Sequence, residues 1–380
     1  KEIESVDSIK RFAPKIYSAY NRAVTAGDYE ALIPKIYPET ESVSAFGGEE
    51  LNPPKYGKVF ITIKPFYGPY VPDSIKNNLN TMLRKYSVAG IITEILDLKY
   101  LYVETHINAY YNPSLAANSD AVKAVVSNNI TSYADSSEMN KYGAKFKYSK
   151  FQTVVDNSND SITSNITKIE IRRDLKPLLN QNAEYELCFG NSFYIKNNNG
   201  YNIKSSGFKI FGVSDTVYMS DSPNADGRTG TLFLFTLASR TNPTIISNNV
   251  GTIEYGRGEI LIKPINIIST SKNVQNIPII EISACPTSND VIGLQDLYLQ
   301  LDINNSTIDM IADTVSSGDN TSGTLYTATS SYMVGDIARL TENEKANTSL
   351  LSSDTYVVGE NTQIGSAANT IPVPVQQTQY

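Results

Sequence analysis

One histidine, His106, is all that the 380 residues contain. A histidine triad, a multi-histidine metal site or an imidazole relay would have to be built around it alone. There is no tryptophan, and the two cysteines, Cys188 and Cys285, are far apart in sequence with no CxxC spacing. That pattern supports neither a disulfide framework nor a zinc knuckle, and it points to isolated buried thiols. No run approaches the roughly 18 consecutive apolar residues of a membrane span, and the opening stretch, Lys1 to Lys10, is polar and mixed in charge rather than leader-like. Basic residues are not in excess: 32 Lys and Arg against 39 Asp and Glu leave a net charge of −7. No Lys/Arg cluster interleaves with aromatics, so nucleic acid is not an expected partner, nor is membrane insertion. These absences predict a soluble chain, read as a fragment or processed product because it starts with Lys1 rather than Met.

What is present is 41% hydrophobic and 19% charged residues, enough for two or three folded domains. From Ser5 to Tyr37, apolar residues at helical spacing (Val6, Ile9, Ala13, Ile16, Tyr17) predict short helices interrupted by Pro14. A second piece starts at Thr25 as N-cap, with Asp28 in the position of a capping-box acid, and Pro34 and Pro38 end it. Gly47 to Pro54 reads as a loop. Gly57 to Lys64 alternates as a strand closed by Pro65. Asp73 caps a helix whose stripe Ile75, Leu79, Met82, Leu83 and Tyr86 is expected to be core, with Gly90 after it. Leu98 to Tyr111 alternates, with Leu101, Val103, Thr105, Ile107 and Ala109 on one face and Tyr100, Tyr102, Glu104, His106 and Asn108 on the other. Helices over Ser119 to Tyr133 and Lys147 to Val155, then a strand over Ser161 to Arg173, complete a predicted set of helices on one face of a small sheet.

From Leu187 onward the helical period disappears and short β-rich runs alternate with turns such as Asp226 and Gly227. Past Val315 the chain turns to Ser, Thr, Asn and Gly. The predicted class is α+β with this division: residues 1–56 a helical segment and loop, 57–176 an α+β domain, 177–315 a β-rich domain, and 316–380 a polar tail, extended or partly disordered.

Chemistry is hard to place on this pattern. His106 sits on the polar face of a tyrosine-rich strand, without a nucleophile or orienting group indicated. Tyr255, Gly256, Arg257 and Gly258 lack the third glycine of a dinucleotide loop and precede a strand, so they read as a hairpin turn. Asp302, Asn304 and Ser306 imitate half a calcium loop, but its sixth position is Thr307 and its twelfth is Asp313. Glu49 and Glu50 could serve a glycan hydrolase only if held across a cleft, and a Gly/Pro-rich loop favours solvated charge. No catalytic, cofactor-binding or metal residue is expected, and no enzyme. The 25 tyrosines suit half-buried subunit contacts or, equally, ordinary β-rich composition. The face of Tyr100, Tyr102 and His106 is the favoured interface candidate.

The run Arg22, Ala23, Val24, Thr25, Ala26, Gly27, Asp28, Tyr29 resembles the R-x-V-T-x-x-D-Y signature of the baseplate J-like family, in the form found in wedge subunits of T-even-type contractile-tailed phages. The likeness continues through Tyr56 to Pro65, the helix to Tyr86, and Thr167 to Arg173. It returns around Asp290 to Asp309. The longer loop at Phe46 to Pro54 and the tail beyond Ser316 depart from it and are closer to cyanophage and marine members. The resemblance implies the C-terminal portion of a structural virion protein without enzymatic activity, a subunit of the tail baseplate made in the host cytoplasm. It implies self-association as a dimer, a ring of wedges around the tail hub, contacts with other wedge subunits, and rearrangement when the sheath contracts. The rival readings are a glycan-degrading or a receptor-binding tail protein.

Overall fold

The structure of the protein, a computed structural model, describes residues 22–313 and 337–346 except 52, 69, 117, 137, 240, 241, 275 and 295, together with 9, 10, 13, 14 and 17. Most of the helical piece expected around Val6 to Tyr17 lies outside the described residues, as does most of the tail beyond Ser316. The fold is broadly α+β and mostly strand. It divides into two compact units, neither of them a continuous stretch: residues 1–101, 132–146 and 292–300 in the first, the rest in the second.

The first unit is built on α1 (Ala26–Ile36), β1 (Thr40–Gly47), β2 (Lys58–Pro65), α2 (Asp73–Leu83) and β3 (Ile92–Leu96). β1 and β2 pair antiparallel with Val43 opposite Ile63 and Ala45 opposite Ile61. β3 returns parallel to β2, which requires the crossover that α2 supplies. Tyr29, Leu32 and Ile33 of α1, Val43, Val59, Ile61 and Ile63 of the strands, and Leu79 and Leu83 of α2 form one apolar core, with Ile75 and Tyr86 packed partly against it. The helix stripe is thus core, with one correction. Met82 is 37% exposed, because Leu79 and Leu83 already fill the buried edge of a helix only three turns long. Thr40 to Gly47, expected to be connection and loop, is a buried strand. Pro34 does not end α1; it lies within the last turn, and the helix runs on to Ile36.

Gly47 leads into a short 3-10 turn at Gly48–Glu50. Here Gly48 is required by space: a Cβ would lie 1.9 Å from the carbonyl oxygen of Lys55, whose N–H bonds to Gly48 O at 2.7 Å.

β4 (Lys99–Tyr111) enters the second unit from Tyr102. After it come α3 (Ser119–Ala134), β5 (Lys145–Phe146), α4 (Tyr148–Asp156) and β6 (Ile162–Leu175). β6 runs antiparallel to β4, with Val103 opposite Ile171 and His106 opposite Lys168. Val122, Val126 and Ile130 of α3 and Phe151 and Val155 of α4 are buried, as the 3.6-residue period predicts. α4 lies against β6: Tyr148 donates its hydroxyl to Thr167 O at 2.9 Å, and Asn165 donates to Asp156 Oδ1 at 2.7 Å.

The remaining strands are β7 (Asn182–Cys188), β8 (Ile203–Ser205), β9 (Phe208–Ile210), β10 (Tyr218–Pro223), β11 (Thr229–Ser239), β12 (Asn242–Glu254), β13 (Glu259–Thr270), β14 (Lys272–Val274), β15 (Ile277–Ala284), β16 (Val291–Ile292), β17 (Leu297–Leu301) and β18 (Thr307–Ala312). One sheet has the order β10-β11-β12-β13-β7, with β9 pairing β13. A second places β14, β15, β6 and β4 side by side, with β8 on β15 and β18 running parallel to β4. Turn chemistry behaves as expected. Asp226 accepts from the N–H groups of Arg228 and Thr229, and Gly258 closes the β12–β13 hairpin with φ +67°, where a Cβ would lie 2.1 Å from Asn191 O. Fully buried Asp221 has no cation partner among the described residues; it accepts from the N–H groups of Asn202 and Ile203 at 2.7 Å each, from the Asn202 amide at 2.9 Å and from Tyr255 Oη at 2.5 Å.

Candidate interaction surfaces and a buried charge cluster

In the first unit, the Arg22 to Tyr29 signature is a helix start. The Asp28 carboxylate accepts the N–H groups of Thr25 (2.8 Å) and Val24 (3.0 Å). Burial pushes its pKa up, but these bonds outweigh that and hold it below the usual value. Tyr29, fully buried, donates its hydroxyl to Ser87 Oγ at 3.1 Å, and Ala23 N–H bonds to Tyr86 O at 2.9 Å. Thr25, Asp28 and Tyr29 have capping or packing roles, whereas Arg22 and the Val24 side chain are exposed, so the part of the signature that is held in place specifies a helix start.

The interface candidate divides. Tyr100, in the first unit, is only 7% exposed, and its ring meets Tyr298 and Tyr70 edge-on at centroid distances of 6.0 and 6.3 Å. It belongs to an aromatic cluster and offers little surface; alternation along β4 gave its side but not what covers it. Tyr142, also against Tyr298, is buried enough that its pKa is raised. In the second unit, Tyr102 lies under the guanidinium of Arg172, 4.3 Å from ring centroid to Cζ. His106 is half-exposed, with Nδ1 3.0 Å from Thr307 Oγ1 on β18.

Beside them is an arrangement that the sequence did not announce. Glu104, on the polar face of β4, is 1% exposed. Arg172 of β6 pairs with it and also reaches Asp302 at 2.8 Å, Asp174 at 2.9 Å and Glu281 at 3.8 Å. Arg339, from the polar tail, grips Glu104 with two parallel bonds of 2.8 Å and reaches Glu281 at 3.0 Å and Glu170 at 3.9 Å. Lys272 pairs with Glu281 at 2.8 Å and Lys204 with Glu170 at 3.7 Å. Five carboxylates therefore meet four cations. Burial pushes the Glu170 carboxyl up, but Lys204, His106 and Arg339 hold it below the ordinary range; Glu281 is held down likewise by Arg339, Arg172 and Lys272. For Asp174 burial wins and its pKa is raised. Both guanidiniums titrate above their ordinary value: burial lowers them, and the surrounding carboxylates more than offset it.

A polar cleft of about 770 Å³ opens over this cluster, lined among others by Glu104, His106, Glu170, Lys204, Cys285 and Arg339. Glu104 and Glu170 in it are tied to cations, an arrangement that holds charge in place. Burial pushes the Cys285 thiol up to about 12, which keeps it a thiol at neutral pH; neither it nor Cys188 is in a disulfide. Glu50 spends its carboxylate on Gly47 N–H at 3.4 Å. The half-calcium loop is a turn: Asp302 accepts from the N–H groups of Asn304 and Asn305 and is anchored by Arg172. Among the described residues no group of three or more His, Cys, Asp or Glu could hold a metal ion. The signal for the Arg339 segment was present, since Thr341-x-x-Glu344 after an apolar pair is a capping box; Thr341 N–H bonds to Glu344 Oε2 at 2.7 Å and Glu344 N–H to Thr341 Oγ1 at 3.3 Å.

The two parts of this architecture have known counterparts. Residues 25–96, the α1–β3 unit with its capped helix, match the family described as baseplate structural protein gp6, C-terminal domain I. Residues 99–174, from β4 through β6, match baseplate structural protein gp6, C-terminal domain III. The class that both matches describe is a structural protein of the phage tail baseplate. A relative by sequence is the baseplate wedge protein gp6 of Enterobacteria phage T4, 22% identical over 175 residues, which cover 46% of this chain and 26% of that protein. The chain is thus similar, over these residues, to gp6-type baseplate wedge proteins, and it spans about a quarter of the length of that relative.

Proposed function

We propose that the chain works as a joint of the baseplate wedge: it self-associates as a dimer, links wedges into the inner ring around the tail hub, binds the other wedge subunits, and rearranges when the sheath contracts. One observation carries this reading, namely the two gp6 C-terminal domain matches standing side by side over residues 25–96 and 99–174. Thr25, Asp28 and Tyr29 of the signature are spent on capping and packing, as expected of a scaffold whose output is interface free energy. A ring of repeated contacts that is stable in two arrangements transmits a binding event without chemistry. The chain is no enzyme on this reading. The test is light scattering with size-exclusion chromatography on the chain alone and mixed with other baseplate wedge subunits. A dimer or larger, and a defined complex with at least one wedge subunit, is the expected result. A strict monomer that ignores every tail component overturns the proposal, and so does turnover of a host glycan abolished by Glu49→Gln or Glu50→Gln.

A further inference from the structure

The buried carboxylate of Asp221 holds a loop in place. It accepts the N–H groups and the amide that tie down Asn202. Asn202 Oδ1 in turn accepts the N–H groups of Lys196 at 2.9 Å and Asn197 at 2.8 Å, and its amide also donates to Asn197 O at 2.9 Å. Gly200 closes the turn with φ +106° and its N–H on Asn197 O at 3.0 Å; a Cβ there would lie 2.3 Å from Asp221 O. At the other end Tyr194 N–H bonds to Cys285 O at 2.8 Å. Residues 194–202 are therefore pinned at both ends, and they carry Lys196 to the wall of the 770 Å³ polar cleft.

Charge is unevenly spread along that cleft. Arg339 pairs with Glu104, Lys345 with Glu342 at 2.8 Å, and Lys272 with Glu281. Among the described residues, the other charges that line it are Lys168 on β6, Lys196 on the pinned loop and Lys204 on β8, against Glu170 and Asp309, with His106 half-exposed beside them. Lys204 meets Glu170 at 3.7 Å, and an ammonium carries three donors, so such a pair leaves donors to offer. Burial and Glu170 raise the Cys285 thiol while Lys204, Lys196 and Lys168 all pull it the other way, so the three charges act around one part of the floor. They come from three separate segments, and β6 and β8 stand about 10 Å apart across β15. The cleft has room for about 25 waters at roughly 30 Å³ each, far more than one small oxyanion fills. Carboxylates on alternate residues of an extended chain recur about every 7 Å, a spacing that such a wall can meet. We propose that the Lys168, Lys196 and Lys204 end of the cleft is an anion-binding site whose ligand is an acidic, extended segment of another protein. This gives one partner contact of the wedge reading its chemistry, and it rests on that reading only for the existence of a partner.

The test titrates the full chain into a dye-labelled hexaglutamate peptide, with a hexalysine peptide and inorganic phosphate as comparisons. Hexaglutamate is expected to bind and to weaken about tenfold or more between roughly 0.05 and 0.5 M salt. Reversing two of the lysines together, Lys168→Glu with Lys196→Glu, is expected to weaken it by about tenfold or more again. If that pair fails to fold, Lys168→Gln and Lys196→Gln singly supply the readout, each expected to cost about threefold in affinity. Lys263→Gln, on the exposed side of β13 and outside the cleft, is expected to leave binding unchanged. Undiminished binding by the lysine variants, indifference to salt, equal binding of hexalysine, or no binding of hexaglutamate overturns the proposal. So does phosphate that displaces the peptide at comparable concentration, since the site then takes a small oxyanion and not a segment. If hexaglutamate is ignored while the chain still assembles with wedge subunits, the anion site falls and the structural reading stands; if the peptide binds to a chain that meets no tail component, the site stands and the wedge reading falls.

Discussion

The two regions matched by the gp6 descriptions reach stability by different means. The α1–β3 unit closes over an apolar core in which Tyr29, Leu32, Ile33, Ile61 and Leu83 are fully buried. The β4–β6 sheet buries a network of paired charges around Arg172. Apolar burial is forgiving, because its strength follows area and is indifferent to direction. A buried ion cluster contributes little net stability when whole and costs heavily when one member is lost, so it specifies an arrangement more than it strengthens one.

That contrast can be broken first at its most charged point. Arg172→Ala strands Glu104, Asp174 and Asp302 and is expected to cost about 3–5 kcal/mol, read as a drop in urea midpoint reported by the second unit. Leu32→Ala, deep in the apolar core, is expected to cost about 3 kcal/mol, reported by slower-protected amides in β1 and β2. The two losses should add, since the sites share no partner; strong coupling between them would refute the division of labour.

Acid sharpens the comparison further. Glu170 and Glu281 have folded-state pKa values below their ordinary 4.5, so their ionisation favours the folded state above about pH 4.5, and that contribution fades as pH falls below it. Asp174, raised by burial, works in the opposite direction and offsets part of the loss. Hydrogen exchange between pH 5 and 3 should therefore show β6 and β15 losing protection before β1 and β2, and simultaneous loss would count against the charge network. The smallest effect is local: Asp28→Ala removes the acceptor for two N–H groups and is expected to cost about 1 kcal/mol, whereas Met82→Gln on the exposed side of α2 should change stability by less than about 0.5 kcal/mol.

Much of the architecture could be read from the chain. The alternation of β4 and β6 and the stripes of α2, α3 and α4 carry their periods openly, and Thr25 with Asp28 announces a helix start. What could not be read was tertiary. Glu104 lies on the polar face by period but is sealed from water by Arg172 and Arg339, partners 68 and 235 residues away. Tyr100 was placed on an interface face because alternation says which side a residue takes and not what covers that side. β1 was missed because Thr40 to Gly47 intersperses Thr, Ser and Glu among its apolar residues, and it is the pairing with β2 that makes it a strand. The polar tail concealed Arg339, since composition averages over a window that one buried arginine does not shift.

The parallel pairing of β18 with β4 also has a consequence in time. Thr307 and His106, opposite one another in the sheet, are separated by 201 positions. At a synthesis rate of about 5–20 residues per second, a ribosome makes the β4 edge roughly 10–40 seconds before the strand that covers it. Throughout that interval the backbone donors and acceptors of His106 to Tyr111 stand open to any passing strand, and nascent chains crowded on one message would be the first candidates to meet them.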